Sequence, residues 1–358
     1  MIGGFLGAGK TTAMLRLASW LRKRGRCVAL ITNDQSINLV DTARIGAAGH
    51  KVREITGGCF CCRFDALVNA SESLAAEAEP DVIIAEPVGS CTDLKATVSV
   101  PLQQMHGRQY RVAPLSVMVD PHRAAAALRL DGRPSFTEMV DYIYLKQLEE
   151  AEIIVLNKID AIDAAFRARL RAALSERYRS VPLLEVSCVR GDGLEEWFSR
   201  MIEGELGHSR AMDIDYDTYA EGEARLGWVN VRATIRCPEQ VDPDSLLATL
   251  ASHIHDHVRD CDAEIGHLKL TLTPGHGLPP ASVSITRNGE CVQVTSVCGR
   301  PAQAGELLVN LRAEADPALL HEIVADSLRS LSGVLTSVEE SAAFRPGRPT
   351  PTHRMANV

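Results

Sequence analysis

Gly4-Phe5-Leu6-Gly7-Ala8-Gly9-Lys10-Thr11 fits the pattern G-x-x-x-x-G-K-[ST], a loop whose backbone N–H groups converge on phosphate oxygens. Glycines at 4, 7 and 9 let the chain turn close around an anion. The helix that starts at Lys10 presents its positive end to it. Lys10 can neutralise charge on the β- and γ-phosphates, and the Thr11 hydroxyl, followed by Thr12, can ligate Mg²⁺. Such a loop normally follows a strand inside the sheet, yet only Met1 and Ile2 precede Gly3. Neighbouring strands would then lose ladder partners, which is costly in a buried sheet. The expectation is a truncated first strand and a natural chain that starts upstream of this Met1.

Outward from the loop, short apolar runs recur: Cys27–Thr32, Asp81–Ala85, Leu115–Asp120, Glu152–Asn157 and Pro182–Ser187. Helix-like stretches separate them, as in TTAMLRLASWLRKR, where Met14, Leu15, Ala18 and Leu21 share a face. Continuous apolar strands alternating with helices predict an α/β fold, a parallel sheet covered on both sides, over residues 1–205. Residues 206–226 read as an acidic linker. From Gly227 the pattern alternates like half-exposed strands. Asp242 and Pro243 open a helix, Asn288-Gly289 marks a hairpin turn, and a last helix spans Pro317–Ser330. This predicts a smaller α+β domain over 227–332. The Pro- and Arg-bearing segment 333–358 reads as a disordered tail.

The chain has 358 residues, 46% hydrophobic but only 4% aromatic, so its cores must be aliphatic. The net charge of −8 and the absence of a basic block with interleaved aromatics argue against a nucleic-acid partner. No apolar run approaches the roughly 18 residues of a membrane span, and the N-terminus lacks a signal layout. A cytoplasmic location is expected. The ten cysteines cluster at one place only, which in that compartment favours a metal or redox site over a disulfide framework.

Four further segments are candidates for chemistry. Asn157-Lys158-Ile159-Asp160 follows an apolar strand and has the N-K-x-D arrangement, which can read guanine. The Asp160 carboxylate can accept both N1–H and N2–H, the Lys158 stem can stack on the base, and Asn157 can brace the loop. Ser187-Cys188 ends the next strand where a turn could support the base. Glu86-Pro87-Val88-Gly89 lies past the strand DVIIA. Glu86 can hold the Mg²⁺ shell or order a water, and the Gly89 N–H can sense a γ-phosphate. Asn33-Asp34-Gln35 and Asp41 form either a switch or a polar surface loop.

Gly57-Gly58-Cys59-Phe60-Cys61-Cys62 places three thiols within four residues. Thiolates suit Zn²⁺, Co²⁺ or Cu(I), and three of them leave a fourth position for water, another side chain or a receiving protein. Arg63, if turned inward, would lower the thiol pKa values. Buried structural cysteines and a redox switch are the alternatives. His253 and His257, at i and i+4 on a helix, could chelate an ion or form a solvated face.

Together GFLGAGKTT, GGCFCC, EPVG and LNKID, in that order and with YLKQLEEAEIIVLNKID leading into the last, resemble the CobW-type metal-chaperone GTPases, relatives of HypB and UreG. The resemblance covers Met1 to about Ile202. It implies a P-loop NTPase sheet that binds GTP with Mg²⁺, hydrolyses it slowly, and delivers a divalent transition metal, Zn²⁺ or Co²⁺, to a metalloprotein client. By position it implies phosphate and Mg²⁺ contacts from Gly4 to Thr12 and Glu86, guanine contacts from Asn157, Lys158 and Asp160, and metal contacts from Cys59, Cys61 and Cys62. Lys10 and Glu86 are the expected catalytic residues, with the attacking water ordered by Glu86 or by a carboxylate of the switch segment, and a homodimer is compatible with it. The chain departs from the family pattern in the NDQSINLVD segment, at Gly57-Gly58 and Phe60, and at Pro87-Val88, and it has no long histidine tract. An ATP-using enzyme, which the Asp160 loop disfavours, and a nucleotide-gated thiol or metal sensor without turnover are the competing readings.

Overall fold

The computed structural model describes residues 1–33, 40, 51–130, 132, 135–207, 211–275 and 277–355. Two compact units emerge: one from Met1–Gln35, Ile45–Gly222 and Arg348–Val358, the other from Ser36–Arg44 and Glu223–Gly347. Asp34, Gln35 and Asp41, the switch candidates, lie outside the described residues.

In the first unit every apolar run named above becomes a parallel strand. β1 (Ile2–Gly4) is three residues long. β2 (Val28–Asn33), β3 (Lys51–Ile55), β4 (Val82–Glu86), β5 (Ser116–Val119), β6 (Ile153–Leu156) and β7 (Leu183–Glu185) follow. They form two parallel ladders, β3-β2-β4 and β1-β5-β6-β7. Met1 and Ile2 thus do more than the sequence suggested. Ile2, Gly3 and Gly4 pair in parallel with Ser116, Val117 and Met118, and Ile2 is fully buried. The first strand is present but short, and its ladder serves β5 alone. β3 escaped the pattern reading because KVREI is half-exposed at the sheet edge and carries three charges.

The helix after the phosphate loop, α1 (Lys10–Arg22), buries Ala13, Met14, Leu17, Ala18 and Leu21. These pack with Ile2, Leu30, Ile84 and Val155 from the strands and with Trp197, Phe198 and Met201 from the Leu194–Glu203 helix. Burying an aliphatic side chain of this size stabilises by about 1.5–3 kcal/mol, so this face, rather than intrinsic propensity, holds the loop's helix in place.

The second unit is a six-stranded antiparallel sheet of order β11-β10-β9-β12-β8-β13. Its strands are β8 (Gly227–Val241), β9 (Ile265–Pro274), β10 (Ala281–Ile285), β11 (Gln293–Ser296), β12 (Ala302–Ala313) and β13 (Leu335–Phe344). Val229, Val231, Ala233 and Ile235 alternate along β8 and share a core with Leu250, Ile254, Leu320 and Val324 of the Pro243–Asp260 and Pro317–Arg329 helices. Asp242 caps the first of these helices by accepting from the Asp244 and Ser245 N–H groups, and Asp316 caps the second through Ala318.

Two boundary expectations need correction. Residues 206–226 are not simply a linker, for Tyr216–Arg225 is a helix. The Tyr216 hydroxyl donates to Asp93 Oδ2 at 2.7 Å, and the Tyr219 hydroxyl accepts from Thr92 N at 3.2 Å. A helix held through two tyrosine tips shows little apolar periodicity. Over its described residues, 333–355, the segment expected as a disordered tail is ordered. β13 pairs along β8 from Leu335 to Phe344, as a largely exposed edge strand whose polar residues hid it. Beyond it, Thr352 N donates to Cys61 O and Met355 N to Ala96 O, both at 2.9 Å.

Candidate nucleotide and metal site

The phosphate loop is closed by its own geometry. Gly4 has φ +125°, and a Cβ there would stand 2.4 Å from Met118 O. Gly9 has φ +97° and would bring a Cβ to 2.5 Å from Asn157 Nδ2. Both positions require glycine, one because strand β5 presses on it and the other because the guanine-type loop does. Ala8 N donates to Phe5 O at 3.2 Å, and buried Lys10 reaches back to Phe5 O at 3.2 Å. Thr12 follows in the first turn of α1.

Thr11 Oγ1 donates to Glu86 Oε1 at 3.0 Å, so the hydroxyl and the carboxylate predicted to share an ion are neighbours. Both are buried oxygen donors, a set suited to a hard cation such as Mg²⁺. Gly89 packs on the same loop: a Cβ there would lie 2.7 Å from Leu6 Cδ2 and 3.1 Å from Leu6 N. Gln147, from the Glu138–Glu149 helix, donates to Gly89 O and Cys91 O, each at 2.9 Å.

The loop after β6 meets the phosphate loop directly. Asn157 Nδ2 donates to Ala8 O at 2.9 Å, and Asn157 Oδ1 accepts from Cys188 N at 3.1 Å. Lys158 sits at φ +60° and pairs with Asp120 Oδ2 at 2.9 Å. Burial pushes the Asp120 carboxyl up, but Lys158 and the Arg123 N–H outweigh it and leave it below the usual range. Among the described residues the buried Asp160 Oδ1 has no hydrogen-bond partner. A buried acceptor left unmatched is costly, and a guanine N–H would satisfy it. Ser187 Oγ accepts from Arg190 N at 3.0 Å and shapes the following turn. Burial pushes the Cys188 thiol up to about 12, so it acts here as a small apolar residue.

Sequence reasoning missed two braces. Arg16 on α1 donates to Cys188 O at 2.8 Å and Val189 O at 2.6 Å. Asp120, besides holding Lys158, caps the Pro121–Ala127 helix. Arg16 lies on the exposed side of its helix, and only the fold reveals its partner. Asp120 ends an apolar strand just before Pro121, which was a legible cap signal.

The three predicted thiols come together. The sulfurs of Cys59, Cys61 and Cys62 all lie within 4.8 Å of one another, the one such potential ligand cluster among the described residues. Asn33, at the end of β2, donates through Nδ2 to Ile55 O at 3.0 Å and Gly58 O at 2.7 Å, holding the Gly-Gly turn before the thiols. The Phe64–Ala78 helix begins immediately after them. The expectation that Arg63 lowers the thiol pKa values is not met. Cys59 and the other crowded thiols, together with burial, hold Cys61 well above the usual range, and Cys62 is raised as well. Thr350 N donates to Cys62 Sγ at 3.2 Å, and the His353 ring stands edge-on to Phe64 at 4.9 Å.

The two candidate histidines of the Pro243–Asp260 helix differ in exposure. His257 is exposed and His253 half-buried, with His253 Nδ1 3.5 Å from Ser330 Oγ, while His255 is the buried one. Among the described residues no helix is long and apolar enough to cross a membrane.

The sequence model of a family described as "CobW/HypB/UreG, nucleotide-binding domain" matches residues 1–184. The chain is 27% identical over 288 residues to a zinc chaperone CobW of Sinorhizobium sp, covering 72% of this chain and 77% of that protein. It is 27% identical over 161 residues to the zinc chaperone YeiR of Escherichia coli, 45% of this chain and 46% of that one. Among solved structures, HypB of Archaeoglobus fulgidus is similar at 17% identity and TM-score 0.39, covering 56% of this chain and 87% of that chain. The zinc-bound YjiA GTPase of E. coli is similar at 15% identity and TM-score 0.34, covering 91% and 96%. With a P-loop sheet, a guanine-type loop and a family match over residues 1–184, the chain belongs to the CobW/HypB/UreG family of P-loop GTPases.

Proposed function

We propose that this protein is a GTP-binding, slowly hydrolysing metallochaperone, in which the nucleotide state sets the affinity of Cys59, Cys61 and Cys62 for a divalent transition metal. The observation that carries the reading is the convergence of these sulfurs within 4.8 Å on a loop held by Asn33. Asn33 ends β2, and Glu86, bonded to Thr11, ends the adjacent β4. The residue that braces the thiol loop, Asn33, and the residue bonded to the phosphate loop, Glu86, therefore end neighbouring strands of one unit. Zinc is the favoured cargo, since the curated relatives are named zinc chaperones, with Co²⁺ the alternative. A metalloprotein client receives it.

In this reading Gly4, Gly7, Ala8, Gly9, Thr11 and Thr12 cradle the phosphates, and Lys10 offsets charge that builds on them in the transition state. Thr11 and Glu86 hold Mg²⁺, which supplies Lewis-acid neutralisation of phosphate charge. Gly89, packed on Leu6, senses the γ-phosphate. Asp160 selects guanine through its unmatched oxygen, Lys158 covers the base, and Asn157, Ser187 and Cys188 keep that loop in register. Turnover acts as a timer whose output is a change in metal affinity, and such coupling requires a differential affinity between the two nucleotide states.

The test is zinc affinity of the full chain with Mg²⁺-GTP, using a non-hydrolysable analogue, and with Mg²⁺-GDP. Binding should be tighter in the first state and lost in the Cys59→Ser/Cys61→Ser/Cys62→Ser variant. Equal affinity in both states would remove the chaperone mechanism.

A further inference from the structure

We propose that Cys91 is a fourth sulfur ligand for the metal held by Cys59, Cys61 and Cys62, donated by the loop that carries Glu86 and Gly89; this rests on the reading of the three thiols as a metal site.

The geometry starts from Cys61. Its sulfur lies 3.7 Å from that of Cys62 and 3.8 Å from that of Cys91. Two thiolates on one tetrahedral zinc, with bonds of about 2.3 Å, stand about 3.8 Å apart. Both pairs already have that spacing. Cys59 is closer, at 2.8 Å from Cys61 and 3.3 Å from Cys62, so filling the site must move Cys59 outward and draw Cys91 toward the shared centre. Cys61 and Cys91 are each 1% exposed, which excludes water from the side of the cluster that Cys91 occupies.

Cys91 also has a defined support. Its N–H donates to Val88 O at 3.0 Å, and its carbonyl, like that of Gly89, accepts from Gln147 Nε2. Only Ser90 separates Gly89, pressed on Leu6 of the phosphate loop, from Cys91. A movement of the Gly89 backbone toward a γ-phosphate would be passed to Cys91 through one residue of chain and the shared Gln147 side chain. The fourth ligand is where nucleotide state reaches the metal: a shell closed by Cys91 binds tightly, and one that loses it keeps an open position for transfer. Four thiolates also select a borderline-soft ion over Mg²⁺, whose sites are built from oxygen.

The test uses the full chain loaded with Zn²⁺ in the presence of Mg²⁺ and a non-hydrolysable GTP analogue. Zinc-edge X-ray absorption should count four sulfurs at about 2.3 Å, falling to three sulfurs and one lighter ligand in Cys91→Ser. Competition with a chromophoric chelator should show affinity for Zn²⁺ at least about tenfold weaker in Cys91→Ser and Cys91→Ala, the lower end of what even indirect metal partners contribute. Three sulfurs in the wild-type protein, with affinity unchanged in both variants, would overturn the proposal while leaving the three-thiol site intact. Zinc binding that survives the triple serine substitution would overturn both. The wild-type sulfur count decides the question even if a variant fails to fold.

Discussion

The nucleotide end and the thiol end of the first unit are built on opposite plans. Around the phosphate loop, precision comes from backbone and glycine: Gly4 against Met118, Gly9 against Asn157, Gly89 against Leu6. In the segment that follows Cys91 it comes from buried titratable side chains. Glu150 accepts from Thr92 Oγ1 at 3.2 Å and Lys95 N at 2.9 Å, just past Cys91. Arg354 pairs with buried Asp93 at 2.7 Å. The difference teaches that one part of a fold is fixed by backbone contacts that a single Cβ would break, while another is held by ionisable groups that respond to charge.

The largest expected effect lies at the rigid end. Lys10→Ala should lower GTP turnover by about 100-fold or more, the usual loss when one charge-stabilising donor is removed. It should leave Zn²⁺ binding by the nucleotide-free protein unchanged. If zinc affinity without nucleotide fell equally, the two ends would not be separable.

Next comes Gly4→Ala. A Cβ at φ +125°, 2.4 Å from Met118 O, should destabilise the fold by about 3 kcal/mol or more. Denaturant unfolding would read this, and a loss below 1 kcal/mol would mean that the loop yields and the contrast is overstated.

Glu150 sharpens the comparison from the other side. Burial pushes its carboxyl from an ordinary 4.5 to about 8. Between those values the folded protein binds more protons than the unfolded chain, so stability falls as pH rises through that window. The penalty is complete above it, on the order of a few kcal/mol. Glu150→Gln should flatten that slope and be the more stable protein at pH 9. Parallel pH profiles for wild type and variant would contradict the assignment.

The smallest effect is expected at Thr350→Pro, which deletes the N–H on Cys62 Sγ while Thr352 and Arg354 keep their own bonds. Zinc affinity should fall about tenfold, as for an indirect partner of a metal ligand. An unchanged affinity would show that the segment 348–355 covers the cluster without tuning it.

Much of the first unit was legible because its signals are local. A glycine pattern, an apolar run or three adjacent cysteines declares itself within a dozen residues, and β2, β4, β5, β6 and β7 each follow from such a run. The elements that escaped are those whose partners lie elsewhere. β13 is polar because it is an edge strand. The Tyr216–Arg225 helix is held by tyrosine tips, and Arg16 meets Cys188 across 172 positions of chain. Cys91 was one of ten cysteines with nothing in its neighbourhood to single it out.

By itself, then, the sequence determined the P-loop class, the guanine-type loop and the thiol motif, since each depends on residues whose spacing sets their own backbone geometry. Only the tertiary structure decided that Asn33 holds the thiol loop, that Asp160 keeps an unmatched oxygen, that residues 348–355 run against the cysteines, and that a fourth sulfur stands 3.8 Å from Cys61. These are meetings between strands and loops far apart in the chain, and side-chain spacing along a sequence carries no record of distance across a sheet.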